Sequence, residues 1–85
     1  MSWTNENNAL LKTFAFADFE SAINFMQIAA KEIAIHNHHP EWSNVYNKVS
    51  VKLTTHDAGN SITEKDEKLA VTLDAIYNSI IGEVA

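Results

Sequence analysis

The residues best suited to chemistry in this 85-residue chain are its four histidines, three of which lie in the segment HNHHPEW, residues 36–42. Imidazole titrates near neutral pH, so a histidine can donate or accept a proton during turnover. His38 and His39 directly precede the only proline, which stiffens the loop that carries them. With His56 on a separate element, these loop histidines could flank a flat substrate for acid–base chemistry.

Metal binding and a structural role are the alternatives for the clustered histidines. Zinc favours nitrogen and sulfur ligands, but neighbours in an extended segment point to opposite sides, so His38 and His39 do not easily reach one ion. The chain has neither a cysteine nor an HExxH motif. We therefore expect no metal and no nucleophilic cysteine or GxSxG serine. His36 suits a helix C-terminus, where a cationic side chain is favourable.

Length and charge restrict the classes of function. A chain of 85 residues predicts one domain spanning residues 1–85, with a thin core that oligomerisation would supplement. A formal net charge of −5 argues against nucleic-acid binding. The start, MSWTNENN, lacks the features of a signal peptide, and no apolar run approaches the roughly 20 residues that a bilayer requires. We expect a cytoplasmic protein without a nucleic-acid or membrane partner.

Hydrophobic alternation predicts the strands that hold the histidines. Residues 9–17 predict a strand that is interrupted by Lys12 on its buried side, after a turn at NENN from a short strand around Trp3. Residues 42–56 alternate apolar and polar side chains but are long for one strand, so a turn within residues 44–48 is expected. The apolar positions predicted to face the core are Leu10, Phe14, Phe16, Val49, Val51 and Leu53.

Two helices are predicted from apolar residues at spacings of three and four. Asp18 can cap the first, which should end near residues 36–37 because Pro40 disfavours helical geometry at the residue before it. Thr63 followed by Asp66 marks the start of the second. The first predicted stripe consists of Phe19, Ala22, Ile23, Met26, Ala29, Ala30 and Ile33. The second consists of Leu69, Leu73, Ile76 and Ile80, flanked by Ala70, Tyr77, Ile81 and Val84.

The order of elements is β-β-α-β-β-α. Such an order predicts an α+β fold of two layers, in which a four-stranded antiparallel sheet carries both helices on one face.

The block NHHPEWSNVYNKVSVKLTTHD, residues 37–57, resembles the pterin-4a-carbinolamine dehydratase family. That family is marked by His-His-Pro followed by an aromatic residue, a hairpin and Thr-His. Trp3, residues 7–26 and residues 61–70 also fall in the family's order. The resemblance implies the same β-β-α-β-β-α fold and dehydration of 4a-hydroxytetrahydropterin to quinonoid dihydropterin and water. It implies no metal and no added cofactor.

The resemblance also implies roles for individual residues. The catalytic set is His38, His39 and His56, of which His38 and His56 would exchange protons and His39 would mainly bind the pterin. Trp42 could lie against the pterin ring, although packing within the sheet explains it equally well. The further residues expected to bind substrate are Asn37, Thr54, Thr55 and Asp57.

Other implications concern partners and a departure from the family pattern. Relatives often have an acidic or polar residue where this chain has Ala34, four positions before His38. They are commonly dimers or tetramers, so a homodimer or homotetramer is expected. Some animal relatives serve as dimerisation cofactors for a homeodomain transcription factor. The stripe of the second helix could do this, but core packing or self-association explains it more simply. A pterin-binding protein without turnover is a third hypothesis.

Overall fold

The computed structural model describes residues 3–82, in which four strands form one antiparallel sheet of order β1-β2-β4-β3. A helix follows each pair of strands, which confirms the predicted β-β-α-β-β-α order. Neither helix of residues 3–82 has the length and hydrophobicity that a membrane-spanning helix requires. The elements are β1 (Thr4–Glu6), β2 (Ala9–Ala15), α1 (Phe19–His36), β3 (Glu41–Val45), β4 (Lys48–Leu53) and α2 (Glu64–Ile81), with a 3-10 turn at His56–Ala58.

Asparagines close both hairpins, at the positions predicted. Asn7 and Asn8 adopt left-handed backbone angles, φ 52° and 61°, which asparagine tolerates and a two-residue hairpin requires. In the second hairpin, the side-chain amide of Asn44 donates to the carbonyls of Tyr46 and Lys48, at 3.1 and 2.9 Å. These turns fix the register, so that alternate residues of β2 and β4 face the helices.

Capping sets both ends of α1. The carboxylate of Asp18 accepts a hydrogen bond from the Ser21 amide at 2.8 Å, as the sequence predicts. At the other end Asn37 adopts a left-handed conformation, φ 52°, and its amide donates to the Ala34 carbonyl. The helix therefore stops at His36, and the chain leaves it directly into the segment that carries His38.

The predicted stripe on α1 was wrong in three positions. Phe19 is 48% exposed and Ala30 is exposed, whereas Phe25, absent from the predicted stripe, is fully buried. The buried face follows Ala22, Phe25, Ala29 and Ile33, because the helix packs on the rings of Phe14 in β2 and Phe16 just after it. The Phe25 ring lies 4.9 Å from that of Phe14, centroid to centroid. Phe19, in the first turn, lies beyond this contact.

The stripe on α2 is mainly core, which limits what it can bind. Leu69 and Leu73 are fully buried, and Ile76 and Ile80 pack half-buried against the same cluster. Val84 lies outside the described residues. The positions that complete this core are those predicted, namely Phe14, Val49, Val51 and Leu53 in the sheet and Phe16 just after β2, with Leu10 half-buried at the edge of the core.

Lys12, which interrupts the apolar face of β2, is held inside the fold by a charge pair. Its side chain is only 8% exposed, and Nζ lies 2.7 Å from Oδ1 of Asp74 on α2. The indole N–H of Trp3 donates to the same carboxylate at 3.1 Å. Burying a lysine is costly unless the charge is paired, so this contact explains how the position is tolerated.

Candidate functional site

The segments that carry the histidines meet at one end of the sheet. Because β3 and β4 are antiparallel, the residues before β3 and those after β4 come together, with Glu41 opposite Lys52. The C-terminus of α1 and the N-terminus of α2 lie at this same end. A pocket of about 200 Å³, here called the histidine pocket, is lined by Asn37, His38, His39, Thr54, Thr55, His56, Asp57 and Lys65.

His38 is anchored through one ring nitrogen. Its Nε2 lies 2.6 Å from Oδ1 of Asp66, and the His38 side chain is 11% exposed while that of Asp66 is fully buried. An ionised carboxylate only accepts hydrogen bonds, so Nε2 carries the hydrogen and donates it. The other nitrogen, Nδ1, has no hydrogen-bond partner among residues 3–82. The carboxylate therefore fixes both the orientation of the ring and its tautomer.

Asp66 is built to remain ionised. Burial raises its pKa, but hydrogen bonds from His38, from the Thr63 amide and from the Thr55 hydroxyl outweigh this, so the pKa lies below the usual value. Thr55 and Thr63 donate to Oδ2 at 2.7 and 2.9 Å. Since the Thr55 proton goes to Asp66, the Thr63 hydroxyl donates to that of Thr55 at 2.7 Å. Both oxygens of the buried carboxylate therefore accept hydrogen bonds, one at Oδ1 and two at Oδ2.

Sequence reasoning found Asp66 but not its contact with His38. The capping box that Thr63 and Asp66 form is confirmed, and it is visible in four consecutive residues. The contact with His38 joins residues 28 positions apart, and only the folded chain brings them together. Lys65, which also lines the histidine pocket, was likewise missed. The sequence indicates a place for Lys65 in the pocket only through its position in the first turn of the helix that follows Thr-His.

His56 is anchored at the opposite ring nitrogen. Its Nδ1 lies 2.7 Å from Oδ1 of Asn60, an acceptor, so Nδ1 carries the hydrogen and Nε2 is left without a partner among the described residues. His56 itself is exposed to solvent. The turn that holds it is closed by paired backbone hydrogen bonds between Thr55 and Ser61, at 2.9 and 3.3 Å.

The remaining predicted site residues differ in what they can offer a ligand. Thr54 is buried, and its hydroxyl already donates to the Asn8 carbonyl at 3.0 Å. Thr54 therefore shapes the wall of the pocket and has no free hydroxyl donor for a ligand. His39 and Asp57 are exposed at the rim. Trp42 does not line the histidine pocket; it packs half-buried against the core and lines a neighbouring apolar pocket.

His36 lies apart from the others. It is the last residue of α1, and its Nε2 is 3.3 Å from the hydroxyl of Thr72 on α2, between the two helices. Within residues 3–82, no three histidine, aspartate or glutamate side chains are arranged as metal ligands.

A wider depression, about 410 Å³, lies on the face of the sheet that the helices leave open. Its floor includes the paired hydroxyls of Thr13 and Ser50, 3.2 Å apart. The described residues that line it include no histidine, so it lacks a side chain that titrates near neutral pH. The smaller histidine pocket is the better candidate for chemistry.

The chain is similar to one family over most of its length. A profile described as pterin 4 alpha carbinolamine dehydratase matches residues 1–76. A relative from Solibacter usitatus, named as a pterin-4-alpha-carbinolamine dehydratase, is 52% identical over 75 residues, 88% of this chain and 78% of its own. A relative of the same name from Opitutus terrae is 50% identical over 74 residues, covering 87% and 76%.

Two solved structures have a similar fold. A transcriptional coactivator/pterin dehydratase from Brucella melitensis superposes with a TM-score of 0.84 at 41% identity, covering 89% of this chain and 82% of that one. A pterin dehydratase-like protein identified as a RuBisCO assembly factor in the alpha-carboxysome gives 0.79 at 21% identity, covering 91% and 90%. At that lower identity the likeness shows the fold alone.

Proposed function

The chain belongs to the pterin 4 alpha carbinolamine dehydratase family, and from this membership we propose that it removes water from 4a-hydroxytetrahydropterin by histidine acid–base catalysis. The family is one of hydro-lyases, and the chain is an enzyme of that class. The observation that carries the mechanism is that two histidines on separate segments line one pocket. Each is anchored through one ring nitrogen, and the other nitrogen has no hydrogen-bond partner among residues 3–82.

The reaction needs an acid and a base at neighbouring atoms. The bond between C4a and the hydroxyl oxygen breaks, and that oxygen takes a proton and leaves as water. The proton on N5 departs, and the electron pair of its N–H bond forms the C4a=N5 double bond of the quinonoid dihydropterin. Both proton transfers favour groups that titrate near the working pH, which imidazole supplies.

His38 is the base in this proposal. With Nε2–H held by Asp66, Nδ1 has the lone pair that accepts the proton from N5. The positive charge of the imidazolium that forms is stabilised by the buried carboxylate of Asp66, whose lowered pKa keeps that carboxylate ionised. This division of labour follows from chemistry, because the residue that gains positive charge should be the one with the fixed anion beside it.

His56 is the acid. In the protonated form of His56, Nδ1–H stays hydrogen-bonded to Asn60, and Nε2–H donates its proton to the leaving hydroxyl. Its exposure supports this role, because an acid that gives up a proton in each turnover must recover one from solvent. Asn60 holds the ring without taking a proton itself, since an amide does not titrate in this range.

The other pocket residues bind and orient the pterin in this proposal. His39 contacts the ring system from the rim, and Asn37, Asp57 and the backbone around Thr54 and Thr55 hold its polar edge. No metal or cofactor takes part.

The direct test follows the decay of 4a-hydroxytetrahydropterin by stopped-flow absorbance, with and without the purified protein. We expect acceleration that survives exhaustive chelation. A folded protein that binds the pterin without accelerating its decay would instead support a binding module. Loss of activity on chelation, with recovery on adding zinc, would contradict the metal-free mechanism.

Self-association is the second part of the proposal, as a homodimer or homotetramer. Large apolar side chains remain on the surface of the single chain, among them Ile35, Val45 and Val71 at 70–74% exposure. A small chain gains stability by covering such residues. Sedimentation at micromolar concentration should give a dimer or larger species; a clean monomer would contradict it.

A further inference from the structure

A second, apolar pocket adjoins the histidine pocket. It measures about 230 Å³ and has one wall from the last turns of α1 and another from the start of β3. We call it the alanine pocket, and its lining residues are Ala30, Ile33, Ala34, His39, Pro40 and Trp42. His39 also lines the histidine pocket, so the two share one side chain as their boundary.

Small side chains on α1 keep the alanine pocket open. Ala30 and Ala34 are one helical turn apart and therefore lie on the same face of the helix. Both are exposed, whereas Ile33, which also lines the pocket, is only 5% exposed. A longer side chain at either alanine would occupy the space that the methyl groups leave.

The two volumes together leave room for one ligand that spans both pockets. Small-molecule sites usually measure about 300–1,000 Å³. The histidine pocket at about 200 Å³ and the alanine pocket at about 230 Å³ each fall below that range, and together they reach it. A ligand whose reacting edge lies against His38 and His56 would extend past His39 into the alanine pocket.

The chemistry of the substrate identifies the extending group. In a pterin, N5 is bonded to both C4a, which loses the hydroxyl, and C6, which carries the side chain. A molecule that presents C4a and N5 to the histidines therefore starts its C6 side chain right beside them. Of the described residues that line the alanine pocket, only His39 can carry a charge.

We propose that the alanine pocket receives the C6 side chain of the pterin and that Ala34 determines which side chains fit, favouring short, uncharged, carbon-rich ones. The inference rests on the proposed function, because it takes the reacting edge of a pterin to lie in the histidine pocket. Ala34 acts on specificity by leaving room, and Trp42 and Pro40 supply the facing apolar surface.

The test compares two 4a-hydroxytetrahydropterins, with a methyl or a propyl group at C6, on three variants. Ala34→Leu fills the pocket with a residue that favours helix, and Ala30→Leu does so from one turn earlier. Ala75→Leu is the matched control, an exposed helical alanine of α2 outside both pockets. Circular dichroism establishes that each variant is folded.

Wild type and Ala75→Leu should prefer the propyl substrate. Ala34→Leu should lower kcat/KM for it by about tenfold relative to the methyl substrate, the usual scale for losing one or two methylene contacts. Ala30→Leu, if Ala34→Leu does not fold, should act in the same direction. Equal loss on both substrates, or loss on neither, would overturn the inference.

Failure of the proposed function would give a different result. In that case wild type and Ala75→Leu turn over neither substrate, and selectivity is read from binding of the 6-methyl and 6-propyl 7,8-dihydropterins by fluorescence titration. A preference for propyl that Ala34→Leu abolishes would still support the inference. No preference in wild type, or one that Ala34→Leu leaves intact, would overturn it.

Discussion

Nε2 of His38 lies 2.6 Å from Oδ1 of Asp66, a contact that joins the loop after α1 to the first turn of α2. The same carboxylate accepts the amide of Thr63, so one side chain both caps a helix and orients a pocket histidine. The placement of His38 is thereby coupled to the start of α2. Mutations of Asp66 should affect stability and turnover together.

Replacing Asp66 with asparagine should lower turnover by about 10- to 100-fold, the usual cost of losing an orienting partner. The amide cannot hold Nε2–H of His38 as the carboxylate does. Turnover is measured with saturating 4a-hydroxytetrahydropterin, and ¹⁵N NMR of the ring reports the tautomer. Wild-type His38 should carry its hydrogen on Nε2, and the variant should show a mixture.

Glu67→Gln is the matched control. It removes an exposed carboxylate from the same turn of α2, and Glu67 makes no hydrogen bond with His38. Its turnover and its His38 tautomer should equal those of wild type. An Asp66→Asn variant with a normal rate would rule out the orienting role.

The lowered pKa of Asp66 makes its contribution to the free energy of unfolding depend on pH. The unfolded chain, with a carboxyl pKa of about 3.9, binds a proton at higher pH than the native state does. The contribution is therefore complete above about pH 5 and is lost as pH falls through the lower native pKa. Urea unfolding should show the gap between wild type and Asp66→Asn narrowing from pH 5 to pH 3.

Asp18 does not confuse this comparison. The hydrogen bond from the Ser21 amide lowers its pKa too, but it acts equally in both proteins and cancels in the difference. A gap that stayed constant between pH 5 and pH 3 would show that the native carboxyl of Asp66 titrates normally.

Most of the fold could be predicted from local patterns. Asp18 and the Thr63–Asp66 pair mark helix starts within a few residues, and alternation marks the buried side of β4, so these predictions are confirmed. The rotation of α1 was harder, because Phe19 and Phe25 are equally apolar. Which of them is buried depends on where the rings of Phe14 and Phe16 lie. The periodicity of one helix does not reveal the position of side chains on another element.

The corrected face of α1 predicts unequal effects for its two phenylalanines. Phe25→Ala should lower the free energy of unfolding by about 3–5 kcal/mol, since it removes a fully buried ring that contacts Phe14 and Phe16. Phe19→Ala, at 48% exposure, should cost less than about 1 kcal/mol. Chemical denaturation of both variants measures this. Equal losses would mean that the helix is rotated from the position described.

The candidate site was predictable in its residues but not in its contacts. The motif around His38 and the Thr-His pair that ends at His56 could be recognised because each consists of consecutive residues. The partners of these histidines, Asp66 and Asn60, depend on how the turn after β4 closes onto α2. Trp42, equally close in sequence, instead lines the alanine pocket.

His39→Ala should raise KM more than it lowers kcat, because a residue that only binds the pterin stabilises ground state and transition state alike. Steady-state kinetics on the 4a-hydroxytetrahydropterin separate the two parameters. His36→Ala is the control, since His36 lies between the helices away from the pocket, and it should change neither. A fall in kcat as large as that for His38→Ala would instead place His39 among the proton-transfer groups.

The central claim, that His38 and His56 serve one transition state, is tested most directly by their double-mutant cycle. Each single change to alanine should lower kcat by about 10²–10⁴, the range for losing general acid–base catalysis. Because the two act as a unit, the double variant should retain far more activity than the product of the two losses predicts. Circular dichroism must show that all three variants are folded. Near-normal turnover by the folded double variant would contradict the mechanism.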